Sequence, residues 1–352
     1  PTPLDAHGGL VGLQIPIGAI DGNLKSPVAY NYSANLERKI GSNLVATVGY
    51  SGSRANDLLS GGGQTTAVNY GVDINAYAGD LVQHNSTVPT RLNPSFGPIY
   101  YTQNDRESSF NALIVGIRGR FGNRGFFNAS YTRSASNDDT QVYPTALNPH
   151  QYFGPSIWDA PNRFSLAWNY ELPGLNQGHG LVGRVTGGWE LSGTTIAQSG
   201  TPYTVFTSAS FQPLRDANGT ITGLAPGSGD YNADGDNNDY PNVTSYSSGT
   251  SRAAYLNGVF SPSQFTTPAL GTEGNEKWGQ FRQPNFFETD AGLLKNTTIT
   301  ERVRLQLRFE FFNIFNRVNL GGIDSNLSDG TFGRATSQLN PRWIQIGANV
   351  TF

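Results

Sequence analysis

An all-β fold of antiparallel, up-and-down transmembrane strands is what this sequence predicts, on three observations. Short segments alternate apolar and polar residues with a period of two, their connections alternate short and long, and the final such segment ends on an aromatic residue. In that segment Ile344, Ile346, Ala348, Val350 and Phe352 share one face of a strand, and Trp343, Gln345, Gly347, Asn349 and Thr351 share the other. One face suits lipid and the other water, as in a transmembrane β-barrel.

Composition agrees. The 352 residues include Gly 43, Tyr 16 and Phe 20, with charged residues at 14%, a balance that favours strands and tight turns over helices. The absence of Cys excludes disulfide scaffolds, cysteine zinc sites and thiol catalysis. The absence of Met leads us to expect a processed chain or a fragment. A net charge of -3, with no Lys/Arg cluster interleaved with aromatics, argues against a nucleic-acid partner. No apolar run approaches the ~18 residues of a transmembrane helix, while a mean hydropathy of -0.38 is compatible with half-polar barrel strands.

Nine segments carry the alternation. Val28, Tyr30, Tyr32, Ala34 and Leu36 face out against Asn31, Ser33, Asn35 and Glu37; Leu44, Ala46, Val48 and Tyr50 follow. Within 111–121, Leu113, Val115, Ile117 and Phe121 oppose Arg118 and Arg120, and Phe127, Ala129 and Tyr131 form a shorter strand. Phe164, Leu166, Trp168 and Tyr170 come next, then weaker segments at 189–198 and 287–295, where Lys295 is expected to snorkel at the membrane edge. The clearest is 302–311: Val303, Leu305, Leu307, Phe309 and Phe311 on one face, Arg302, Arg304, Gln306, Arg308 and Glu310 on the other. A charge at the bilayer midplane costs about 2 to 4 kcal/mol, so the second face must meet an aqueous lumen or a plug.

The connections near 40–43, 122–125, 173–187 and 296–301 are short, and those at 53–108, 134–162, 199–286 and 316–340 are long. Barrels have this asymmetry, with short periplasmic turns and long extracellular loops. We therefore read 1–352 as a single barrel portion of about nine or ten strands, with 199–286 its longest extracellular loop. Odd strand counts are foreign to single-chain bacterial barrels, so the carboxy-terminal part of a larger barrel is expected. Extra strands or loop hairpins are expected near 67–78 and 202–207.

Several motifs are similar to those of TonB-dependent outer-membrane receptors, in particular their Oar-like branch. They are Asn23-Leu-Lys-Ser-Pro27, Val48-Gly-Tyr-Ser-Gly-Ser53, Ala129-Ser-Tyr-Thr-Arg-Ser134, Phe309-Glu-Phe-Phe-Asn-Ile-Phe-Asn316, Thr331-Phe-Gly-Arg334 and Pro341-Arg-Trp-Ile-Gln-Ile346, and their order spans nearly the whole chain. Phe352 also resembles the carboxy-terminal signal read by the barrel-assembly machinery. The resemblance implies a Gram-negative outer-membrane location, contact with outer-membrane lipid, an extracellular ligand and energy supplied by TonB through a plug domain. No residue here is assigned to that plug or to TonB contact.

The sharpest local chemistry lies in the longest loop, in Asp230-Tyr-Asn232-Ala-Asp234-Gly235-Asp236-Asn-Asn-Asp239. Oxygen ligands at positions one, three and five with Gly at six match the start of a calcium loop. Position twelve, normally a bidentate Glu, is Pro241, so Asp239 is expected to complete the Ca2+ shell. The bland reading is a polar, Asn- and Gly-rich solvated loop. No HExxH, GxSxG or phosphate loop occurs, and His7, His84, His150 and His179 are scattered over connections, so no enzyme is expected. Glu37, Glu171, Glu190 and Glu310 share the lumen face without a spacing that pairs them; salt bridges with Arg118, Arg304 or Arg308 are expected instead. Tyr30, Tyr50, Tyr131, Trp168 and Tyr170 read as membrane-interface girdles. The rival architecture is a secreted calcium-binding β-sandwich, an adhesin or carbohydrate-binding module, whose outward faces would have to be polar.

Overall fold

A computed structural model describes residues 4, 6, 15–59, 72–73, 75–77, 90–91, 93, 95–97, 99–139, 153–174, 180–210, 212–218, 221–225, 227–231, 239–245, 251–269 and 272–352. Nine long strands lie in chain order in one antiparallel sheet. They are β1 (Val28–Ile40), β2 (Leu44–Leu58), β3 (Arg106–Arg120), β4 (Gly125–Asp138), β5 (Asn162–Glu171), β6 (Trp189–Gln198), β7 (Phe286–Thr298), β8 (Arg304–Phe312) and β9 (Trp343–Thr351). These are the nine predicted segments. Gly154–Pro155 adds a short bridge beside β4. The sheet is open: β1 and β9 are its edges and have no further strand partner among the described residues.

Register decides which side chains meet lipid. Leu36, Val48, Val115, Tyr131, Phe164, Ala197 and Phe287 lie directly across from one another in seven successive strands. Leu293, Phe309 and Ile346 continue the same face across β7 to β9. In β3 this apolar face is the more exposed one. In β3, Leu113, Val115 and Ile117 are 46%, 45% and 38% exposed, against 2% for Ala112 on the other side. A water-soluble sheet would reverse that order, whereas a lipid-facing one requires it.

Several strands outrun their apolar stretches. The predicted short strand at 127–131 is a 14-residue strand, Gly125–Asp138, and β2 and β3 reach 15 residues. A bilayer needs only ~9–11 residues of tilted strand. The hydrogen-bond ladder therefore continues toward the long connections after the lipid pattern has ended. At the other boundary, β8 begins at Arg304 instead of Arg302, because Val303 donates its N–H to Thr300 Oγ1 at 3.1 Å in the preceding turn.

The hairpin turns are short where expected, and Gly41 at φ 62 and Gly122 at φ 58 supply the left-handed residues they need. The connection at 173–187 differs from expectation in holding a helix, α1 (Gly180–Thr186). Lys295, opposite Trp189 in the register, does not reach outward as a snorkelling residue would. Its Nζ lies 5.5 Å from the Trp189 ring centre and donates to Arg184 O at 2.7 Å and to Gly187 O, capping the carbonyls at the end of α1. The extra strands expected near 67–78 and 202–207 are loop hairpins, Val72–Asp73 against Ile99–Thr102 and Pro202–Tyr203 against Phe281–Arg282.

Val115 sits midway along β3 on the lipid face. Val115→Arg should reduce barrel stability by about 2 to 4 kcal/mol, whereas Ile114→Arg, on the lumen face, should be much milder. Outer-membrane yield and heat-modifiable gel mobility of the two variants read the difference.

Candidate functional site

The polar face of the sheet is a hydrogen-bonded wall. Arg118 Nη2 meets Glu37 Oε2 at 3.1 Å, and Thr47 Oγ1 donates to the other oxygen of Glu37 at 3.3 Å. Asn169 Nδ2 donates to Glu190 at 3.1 Å, Gln306 Nε2 to Asn296 at 2.9 Å and Arg308 Nε to Gln306 at 2.6 Å. Of the expected lumen pairs, Glu37 with Arg118 forms, while Arg304 and Arg308 meet no carboxylate among the described residues. Register also brings Glu171 directly opposite Glu190, a pairing that linear spacing hides.

At the end of this wall next to the long connections Phe312 and Trp343 stack with ring centres 4.2 Å apart and planes 11° from parallel. Both belong to the polar face, being paired across β8 and β9. With Phe286, Glu288, Asn313 and Gln338 they surround a cavity of about 490 Å³. Sequence reading missed this platform. Its one signal was a Trp on the polar side of the last strand.

The two connections above it fold together. Val205, Tyr255, Val259, Phe260, Phe265, Phe281, Ile323 and Phe332 form a buried cluster drawn from 199–286 and 316–340. Phe260 lies 4.6 Å from Phe281, and Phe265 lies 5.4 Å from Phe332, centre to centre. Helix α2 (Arg252–Asn257) starts at Ser251, whose Oγ accepts the Ala254 N–H at 3.1 Å. Backbone bonds stitch one connection to the other: Phe206 N–H to Ser325 O at 3.0 Å and Leu327 N–H to Phe206 O at 2.9 Å. Roots at Asn285, which accepts the Gly200 N–H at 3.1 Å, and at Asn319, which accepts the Phe287 N–H at 3.1 Å, tie this cap to β6 and β7.

Carboxylates lie inside the cap. Glu276 is buried, its Oε1 accepting the Val205 N–H at 2.6 Å and its Oε2 without a hydrogen-bond partner among the described residues. Burial pushes its pKa up to about 9. Burial also raises the Tyr240 hydroxyl well above its usual 10.0, reinforced by Glu273, Glu276 and Asp239. Of the predicted calcium ligands, Asp230 and Asp239 are buried, and Asp239 Oδ2 accepts the Tyr231 N–H at 2.5 Å. Asn232, Asp234 and Asp236 lie outside the described residues, as do the four histidines. Among the described residues, no three acids or histidines stand together as a metal cluster.

Two of the expected girdle tyrosines, Tyr50 and Tyr131, are held by hydrogen bonds. Tyr32 and Tyr50 both donate their hydroxyls to Asn111 Oδ1, at 2.8 and 2.7 Å, and Tyr131 donates to Asn162 at 2.7 Å. Nearer the short turns the Trp168 ring covers Gly193, where a Cβ would stand 2.8 Å from it.

An outward apolar face, a polar inner wall and a cap folded from the long connections define an outer-membrane β-barrel protein of the Gram-negative envelope. The chain belongs to the outer membrane β-barrel domain family, whose family model matches residues 1–345. Similar solved structures include the outer-membrane transporter YddB from Escherichia coli, 11% identical with TM-score 0.47, covering 94% of this chain and 33% of that one. FpvA of P. aeruginosa, solved with heterologous pyoverdines, is 13% identical with TM-score 0.42 over 93% of this chain and 27% of its own. The FrpB iron transporter from Neisseria meningitidis is 10% identical, TM-score 0.42, over 95% and 32%. The chain thus spans a third or less of the length of these structures. No curated protein matches it.

Glu276 makes the cap pH-dependent. Its carboxyl titrates near 4.5 when unfolded and near 9 when folded, so between those values the folded cap holds the extra proton. The stability linked to that proton is fully present below the lower value and is lost as pH rises through the upper one. Thermal melting of the cap, followed by Trp278 fluorescence, should shift down between pH 5 and 9 in the native protein, with a flatter profile in Glu276→Gln.

Proposed function

We propose that this barrel captures an extracellular ligand at the cap and the Phe312–Trp343 platform and passes it inward along the polar wall, driven by TonB through a plug domain. What carries the reading is that the two long connections share one buried core instead of hanging free. Such a cap, rooted beside an aromatic platform on the lumen face, can hold a ligand at the mouth of a pore. The nine strands leave the sheet open, with β1 and β9 as its edges among the described residues. The outer ladder groups of β1 and β9 need partners inside hydrocarbon, and further strands of the same protein would supply them. The secreted β-sandwich is not favoured, since its outward face would not carry Leu113, Val115 and Ile117.

The test compares a strain lacking the gene with one restored, each grown with iron chelates, cobalamin, oligosaccharides or peptides as the limiting nutrient. Native protein should restore growth on one of them only while TonB is present. Trp343→Ala should raise the ligand concentration needed for half-maximal growth severalfold. Equal growth of deleted and restored strains on every nutrient removes the uptake reading.

We further propose that Asp230, Asn232, Asp234, Asp236 and Asp239 bind Ca2+ from the external medium. Oxygen ligands at alternate positions followed by Gly235, as at the start of a calcium loop, support this reading. The affinity should fall in the extracellular class, ~0.1–1 mM. Isothermal titration should show calcium-dependent heat that Asp234→Asn weakens; no heat at millimolar calcium excludes the site.

A further inference from the structure

A second cavity, of about 460 Å³, opens between α2, the chain entering β7 and the chain leaving β8. Arg252, Arg282 and Arg317 all line it, and no Asp or Glu does. Arg282 is already neutralised: its guanidinium donates to Asp159 O at 2.9 Å and to Asp159 Oδ2 at 2.7 Å. Arg252 and Arg317 meet no carboxylate among the described residues, which leaves two positive charges uncompensated.

Three amides in the lining add donors of fixed orientation. Asn285 Oδ1 accepts the Gly200 N–H at 3.1 Å, Gln283 Oε1 the Ile323 N–H at 3.3 Å and Asn316 Oδ1 the Arg342 N–H at 3.1 Å. A backbone N–H can face only the oxygen of an amide, so these bonds set the flip of each side chain. Their NH2 groups are then left without an acceptor among the described residues. The cavity wall offers donors and positive charge with no matching acceptor, which is the complement of an oxyanion.

Position identifies the anion's source. The Arg317 guanidinium lies 5.1 Å from the centre of the Phe287 ring, and Phe287 ends the lipid-facing row that runs from Leu36. The Arg317 edge of the cavity therefore borders the lipid-facing side of the sheet, at the end from which the long connections leave. We infer that it binds a phosphate monoester on the headgroup of an outer-leaflet glycolipid. The dianion matches the two free guanidinium charges, whereas a carboxylate would leave one uncompensated. This site is independent of the inward ligand route.

Binding of bis-phosphorylated lipid A to the full-length protein in detergent tests the assignment, with fully dephosphorylated lipid A and inorganic phosphate as the other probes. Arg252→Gln combined with Arg317→Gln should weaken lipid A binding on the order of 100-fold, as two charge-assisted contacts at about tenfold each. Dephosphorylated lipid A should bind native and variant protein equally weakly, and inorganic phosphate should compete only in large excess. Arg252→Gln alone, at an exposed helix position, carries the test with a roughly tenfold loss should the double variant fail to assemble. Unchanged binding by the variants, or equal binding of the dephosphorylated lipid, overturns the site. Inorganic phosphate binding as tightly as lipid A overturns the lipid assignment in favour of a soluble oxyanion.

Discussion

The requirement that every backbone N–H and C=O find a partner inside hydrocarbon governs this molecule more than any packing contact. It forces a continuous antiparallel ladder, and the ladder in turn fixes which side chains reach lipid. A slip of one residue would carry Arg118 and Glu37 outward and Val115 and Leu36 inward, so register is the decisive variable. Local features protect it. The Trp168 ring over Gly193 and the shared Asn111 acceptor of Tyr32 and Tyr50 each hold only when the strands are correctly aligned.

Two solvents divide the chain into parts that obey opposite rules. In the sheet many large apolar side chains are exposed, and among the described residues every buried apolar residue except Ala112 lies in the cap. The cap is organised as a small soluble domain is, with phenylalanine rings packed mostly edge to face inside and polar turns outside. Its stability comes from water leaving apolar surface, whereas the sheet relies on its ladder and on lipid. Coupling between the two passes through a few amide side chains, Asn285 and Asn319 above all.

The strands were legible in the sequence because lipid imposes a one-dimensional rule, period two with a consistent sign, on each segment separately. Val28 to Leu36 and Ile344 to Phe352 declare their faces without reference to any neighbour. What stayed hidden depends on partners far along the chain. Phe260 and Phe332 meet only because two connections fold together, and Phe312 finds Trp343 only through the register of β8 with β9. Helix α1 is too short for its apolar spacing to stand out, and the burial of Lys295 follows from that helix. The Asp230 to Asp239 motif was visible as composition, yet only its two ends can be placed.

Strand β7 also carries a measure of the membrane. At one end Arg317 lies over Phe287, and at the other Lys295 lies over Trp189, its cross-strand partner. Each is a cation held on an aromatic face where the hydrocarbon gives way to water, so the residues between them mark the lipid band. Phe287 and Lys295 are eight residues apart. At ~3.3 Å of rise per residue that is about 26 Å along the strand. With the ~40° tilt usual for such barrels the separation becomes roughly 20 Å along the membrane normal, just inside the ~25 Å apolar band expected of an outer-membrane barrel. The two cations thus sit near the rims, where their charge is tolerated, and together they fix the height at which this strand rides in the bilayer.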